Sequence, residues 1–152
     1  RIGVEVAGAL KNVIALAAGA ADGLELGANA RSALLTRGLA EMTRFGRRFG
    51  ADPMTFIGLA GMGDLILTCT GGLSRNRRLG GLLAGGKSLS EGLSELGQVA
   101  EGVPTARSVV AIAAREGLDM PISAQVHAVL FEGKPPQQAI MDLISRPMRT
   151  EQ

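Results

Sequence analysis

The sequence predicts an all-α fold, a single helical domain of about eight helices, several of them short. Three observations carry this. Apolar residues recur at helical spacing, and no long run alternates polar with apolar as a half-buried strand would. Helix-starting residues (Ser, Asp, Asn, Pro) precede the apolar segments and glycines follow them. With 152 residues, 46% of them hydrophobic, the chain is long enough to bury a real core as one domain and too apolar for general disorder.

The first helix is expected over residues 4–21, ending near Gly23, and is small and apolar except for Glu5, Lys11 and Asn12. Its length suits a buried helix and only marginally a membrane span, because each polar residue is costly in lipid, so no span is expected. Gly8, Gly19, Gly23 and Gly27 would let a neighbouring helix approach closely. Asn29 caps a second helix, in which Leu34, Leu35, Leu39, Met42, Phe45 and Phe49 fall near helical spacing before Gly50. Asp52 ahead of Pro53 is a cap followed by a first-turn proline, opening a short helix that stops at Gly58. Gly58, Gly61 and Gly63 look like a dinucleotide fingerprint in reverse order with no strand before it, and read as a turn. A short helix is expected over 64–70, and Ser74 starts another that runs to about residue 84. Ser90, with Glu91 and Leu93, opens a brief turn of helix ending at Gly97. Three helices close the chain: 104–116 stopped by Gly117, 123–132 stopped by Gly133, and 136–145 ended before Pro147. There is no internal repeat and no low-complexity linker.

Composition excludes several classes. With no Trp, no Tyr and four Phe, the chain lacks stacking surfaces for single-stranded nucleic acid. The net charge is +2, and basic residues are dispersed except at 75–78, too short a cluster for a duplex-binding face; no nucleic-acid partner is expected. A single cysteine, Cys69, allows no internal disulfide, which suits a reducing cytoplasm, and its apolar setting marks it as a small core residue. No metal site and no signal peptide are expected. The chain opens at Arg1 without a methionine and runs straight into the apolar helix, which reads as the interior of a longer protein.

Chemistry concentrates in two places. Asp64 heads an apolar helical run that ends in a break at Gly71 and Gly72, and Ser74, Arg75 and Asn76 then open a new helix. An N-cap serine leaves the first-turn N–H groups facing outward at the positive end of the helix dipole, a natural seat for a phosphorylated ligand. The competing reading makes Arg75, Arg77 and Arg78 a solvated basic edge. The second place is Lys11, in the middle of the apolar first helix, where an ammonium is costly unless it is paired or loses its charge. Such a lysine can serve as a proton donor or acceptor; alternatively Lys11 snorkels to the surface along its stem. Asp64 also reads as a plain N-cap, and His127, among Val126, Ala128 and Val129, as structural.

Taken together, several segments resemble the C-terminal domain of bacterial NAD(P)-dependent glycerol-3-phosphate dehydrogenase. They are the run from Gly3 to Ala15 containing Lys11 and Asn12, Gly27 to Arg31, Thr36 to Met42, Gly61 to Leu65, Ser74 to Arg78, and Gly97 to Gly102. The similarity covers nearly the whole chain, and independent motifs in one order make it specific. The resemblance implies the all-helical domain of the glycerol-3-phosphate / 6-phosphogluconate dehydrogenase type over residues 1–152. It implies reversible reduction of dihydroxyacetone phosphate to sn-glycerol 3-phosphate for glycerophospholipid synthesis. NADH or NADPH would be bound mainly by an N-terminal Rossmann domain absent from this chain, leaving the fragment inactive alone. By resemblance Lys11 and Asp64 are catalytic and contact substrate, while Ser74, Arg75 and Asn76 bind the glycerol phosphate. Asn12 and Thr68 lie beside the site, and Arg75, Val99 and Glu101 contact the cofactor. The segment Val103-Pro104-Thr105 departs from the family pattern. A homodimer is an option that the sequence does not decide. The alternative from another class is a free-standing helical module for a phosphorylated metabolite or a protein partner, with the glycine-rich first helix as docking surface.

Overall fold

The computed structural model describes residues 2–71 and 74–147, and among them there are eight α-helices and no strand. Helix α1 (Ile2–Gly23) is the axis of the domain. Residues 13–18 are all at most 3% exposed, and six consecutive buried residues exceed one helical turn, so α1 is covered on every side. The cover comes from α2 (Gly27–Arg48), α3 (Asp64–Thr70), α4 (Arg75–Ala84), α6 (Gly102–Glu116), α7 (Pro121–Phe131) and α8 (Pro136–Ser145), all packed on it; α5 (Leu89–Leu96) leans on α4.

Small residues set the distances. A Cβ on Gly80 would stand 2.1 Å from the Leu16 carbonyl oxygen, and one on Gly19 would meet the backbone of Arg77, so α1 and α4 cross with their backbones in contact. Gly23 is also tight, against Ala84 and Gly81, but Gly8 and Gly27 have nothing within 4 Å and do not serve helix approach. Gly27 instead sits at φ +87°, in the turn that reverses the chain from α1 into α2.

That turn explains one corrected boundary. Helix α2 starts after Leu26 with no side-chain cap, so Asn29 lies inside the first turn and is not the N-cap. Helix α5 starts at Ser88 rather than Ser90, because Glu91 is the third residue from Ser88 and closes a reciprocal capping box with it. Helices α6 and α7 each begin two residues ahead of expectation, while α8 spans the expected range. Asp52 caps as expected, its Oδ1 accepting the Met54 N–H at 3.0 Å, but the helix it opens is a 3₁₀ turn over Pro53–Phe56 that stops short of Gly58. The glycine cluster after it is a π turn, Leu59–Gly63, that runs directly into α3. Of the described residues, Pro53–Thr70 is the stretch long and apolar enough to cross a membrane, and here it is divided into a 3₁₀ turn, a π turn and α3.

Helix α7 has an unexpected cap. Glu41 on α2 is 2% exposed and accepts from Ile122 N–H at 2.7 Å, Ser123 N–H at 2.9 Å and Ser123 Oγ–H at 2.8 Å. A carboxylate from another helix thus meets the open N–H groups and positive dipole end of α7. Burial raises the Glu41 carboxyl above its ordinary value, against the lowering effect of the three donors.

Candidate functional site

Three elements converge beside the middle of α1. Lys11 and Asn12 from α1, Leu67 and Thr68 from α3, and Gly71, Ser74, Arg75 and Asn76 at the start of α4 line an open groove of roughly 520 Å³. Asp64, the first residue of α3, joins it through Lys11: Nζ donates to Asp64 Oδ2 at 2.6 Å. The sequence left Lys11 between catalysis and snorkelling. Its side chain is 25% exposed and bound to a carboxylate that is 40% exposed, so it is held at the groove instead of trailing into solvent. A pair this exposed adds little to stability, but it fixes where the ammonium points. Asp64 does not cap α3: the N-cap position is Gly63, continuous with the π turn, and the carboxylate is turned to Lys11.

Ser74 is the N-cap of α4, its Oγ accepting the Arg77 N–H at 3.2 Å. Arg75 is exposed in the first turn. Asn76 is 7% exposed, and its Oδ1 accepts the Gly102 N–H at 2.8 Å. A backbone donor needs an oxygen opposite it, so this bond fixes the amide orientation and ties α4 to α6. The junction leaves no room: a Cβ on Gly102 would stand 2.8 Å from both the Asn12 carbonyl oxygen and Asn76 Oδ1.

The groove therefore unites Lys11, Asn12, Thr68, Ser74, Arg75 and Asn76 with Asp64 beside them. Val99 and Glu101 do not line it; both are exposed on the segment leading into α6, which the Asn76–Gly102 bond holds against α4. The basic edge is only partly one. Arg78 is exposed, but Arg77 forks onto Asp22, with Nε and Nη2 donating to Oδ2 at 3.1 and 3.0 Å. Gly72 of the expected glycine break lies outside the described residues.

His127 is away from the groove, with Nδ1 2.7 Å from Glu132 Oε2 and its ring against Phe131, as a structural residue would be. Cys69 is fully buried, and burial pushes its thiol up to about 12. Two residues escaped notice in the sequence. Glu41 falls seven positions after Leu34 on the buried face of α2, where a lone carboxylate demands donors. Asp22 sits in the last turn of α1, where a carboxylate opposes the helix dipole and so signals a fixed cation.

Comparison with known proteins gives a consistent result. The family model described as NAD-dependent glycerol-3-phosphate dehydrogenase C-terminus matches residues 1–141. Glycerol-3-phosphate dehydrogenase [NAD(P)+] of Geobacter metallireducens is 60% identical over 99% of the chain, which covers 45% of that relative. The enzyme of the same description from Cupriavidus metallidurans is 62% identical over 99% of the chain and is 44% covered. Among solved structures, glycerol-3-phosphate dehydrogenase from Coxiella burnetii superposes with a TM-score of 0.94 at 48% identity, over 96% of this chain and 45% of that one. The chain thus spans a little under half the length of the curated relatives it matches.

Proposed function

The chain belongs to the family of NAD-dependent glycerol-3-phosphate dehydrogenase C-terminal domains, and on that footing we propose that it is the substrate-binding and catalytic domain of such a dehydrogenase. The substrate pair is dihydroxyacetone phosphate and sn-glycerol 3-phosphate, the product serving glycerophospholipid synthesis. The observation that carries the reading is the 2.6 Å Lys11–Asp64 pair in the same groove as the capped start of α4.

The phosphate is assigned to the start of α4, where Arg75 supplies a full charge, Ser74 and Asn76 supply polar contacts, and the helix dipole adds to the field. That clamp places the carbonyl carbon of the substrate near Lys11. Reduction builds negative charge on the carbonyl oxygen, and the Lys11 ammonium both stabilises it and delivers a proton to it. Asp64 orients the ammonium and accepts from the substrate hydroxyl; in the oxidation direction Lys11 takes the proton back. NADH or NADPH, when bound, supplies or accepts the hydride. The residues present fit it, because Arg75, Val99 and Glu101 are exposed around the tied junction of α4 and α6, where a second domain that binds most of the dinucleotide has access. A cytoplasmic setting rests on the single buried cysteine.

The test is Arg75→Ala in the enzyme that joins this domain to a dinucleotide-binding domain. KM for dihydroxyacetone phosphate should rise and kcat fall together, with kcat/KM lower by about 100-fold or more, because a misplaced ketone loses both binding and alignment. Unchanged parameters would return Arg75 to the solvated edge and remove the phosphate assignment.

A further inference from the structure

Arg77 directly follows the proposed phosphate clamp in sequence and is not in the groove lining. It nevertheless touches Gly71 and Ser74, both of which line the groove. Its Nη1 donates to the Gly71 carbonyl oxygen at 3.1 Å, and its backbone N–H is the donor that Ser74 Oγ caps at 3.2 Å. The rest of its guanidinium is committed to Asp22 Oδ2. Asp22 is held in turn through Oδ1, which accepts from Arg31 Nε at 3.2 Å and Nη2 at 2.8 Å. One carboxylate at the end of α1 therefore fixes a guanidinium from α2 and another from α4.

We infer that Arg77 is a positioning residue for the phosphate clamp: held by Asp22, it sets the separation of Gly71 and Ser74 and so the aim of Arg75 and Asn76 into the groove. This rests on the reading of the groove as a phosphate site. Two simpler roles predict something different. If Arg77 helped only by its charge, removing the nearby negative charge of Asp22 would strengthen anion binding. If the pair only held the fold, its loss would show in unfolding and not in affinity. Side chains 24% and 21% exposed form a pair of modest worth to stability, while the glycine contacts bring α1 and α4 together independently.

The experiment titrates the 152-residue chain with inorganic phosphate and with sn-glycerol 3-phosphate, by calorimetry and amide NMR shifts, alongside thermal melts. Asp22→Asn, although it makes the chain more positive, should weaken binding of both anions by roughly tenfold, about the worth of one lost charge-assisted hydrogen bond. Arg77→Lys, which keeps the charge but not the fork, should do the same. Adding Asp22→Asn to Arg75→Ala should cost less than Asp22→Asn costs in wild type, because most of what the positioning aims is then already gone. All titrations are made well below each variant's melting transition, so an affinity change reports on folded chain. Equal or tighter binding by Asp22→Asn, with Arg75→Ala still disruptive, would overturn the inference and leave the groove reading standing. A wild-type chain whose anion binding is insensitive to Arg75→Ala would overturn both.

Discussion

Gly19 and Arg77 meet backbone to backbone: a Cβ on Gly19 would stand 1.9 Å from the Arg77 carbonyl oxygen. No rotamer change can relieve such a clash, because the obstructing atom is main chain. Gly19→Ala should therefore force α4 away from α1 and destabilise the domain by about 3 kcal/mol or more, the upper end for overpacking a core. Denaturant unfolding measures this. A loss below about 1 kcal/mol would mean that the two helices slide apart freely.

Lys11→Met keeps the apolar stem and removes the ammonium. In the complete dehydrogenase kcat should fall by roughly two to four orders of magnitude, the usual worth of a general acid. Helicity and melting temperature should stay near wild type, because an ion pair this exposed adds little to folding. A variant with normal turnover would leave the reaction without its proton donor.

Glu41 gives the domain a pH dependence of definite sign. Its folded carboxyl titrates above the ordinary value of 4.5, so the folded chain holds this proton at pH values where the unfolded chain has lost it. Its contribution is then fully present below the ordinary value and is lost as pH rises through the raised one. The stability difference between wild type and Glu41→Gln should shift against wild type over that window and level off above it. Denaturation of both proteins from about pH 4 to pH 8 reads the difference directly. A difference that moved in favour of wild type with rising pH would show that the three donors outweigh burial.

Cys69 should be chemically silent in the folded state. Fully buried and with its thiol pushed up to about 12, it offers almost no thiolate near neutrality. Alkylation by iodoacetamide should track global unfolding and vanish under native conditions. Rapid labelling of folded protein would instead show that α3 opens locally.

Much of this architecture is readable from residues alone. The small apolar run around Lys11 specifies a central helix, and Ser74, Asp52, Gly117 and Gly133 mark element ends that the structure keeps. Lys11, Asn12, Ser74, Arg75 and Asn76 are legible because each belongs to a local pattern, a polar residue in an apolar helix or an N-cap with its first turn, whereas Thr68 enters through the resemblance alone. Glu41 and Arg77 are not, because their partners lie 81 and 55 positions away along the chain. Local spacing says that a buried carboxylate needs donors but not which helix brings them. The same holds for Gly8 and Gly19, alike in sequence, of which only Gly19 meets a neighbour within 4 Å. Asn29 and Ser90 mislead because each is a good cap lying close to the residue that actually begins the helix.

The π turn at Leu59–Gly63 sets the angular position of α3. A π turn holds one residue more than an α turn over the same rise, and each residue rotates a helix by about 100°. The surplus residue therefore works as a phase shift between the 3₁₀ turn that ends at Phe56 and the helix that begins with Asp64. Deleting one residue from the turn, with every side chain of the groove retained, would let the segment relax to ordinary α geometry. Asp64 would then swing by about 100° around the axis and lose Lys11. In this domain the meeting of Lys11 and Asp64 is governed by the count of residues in one irregular turn as well as by their identity.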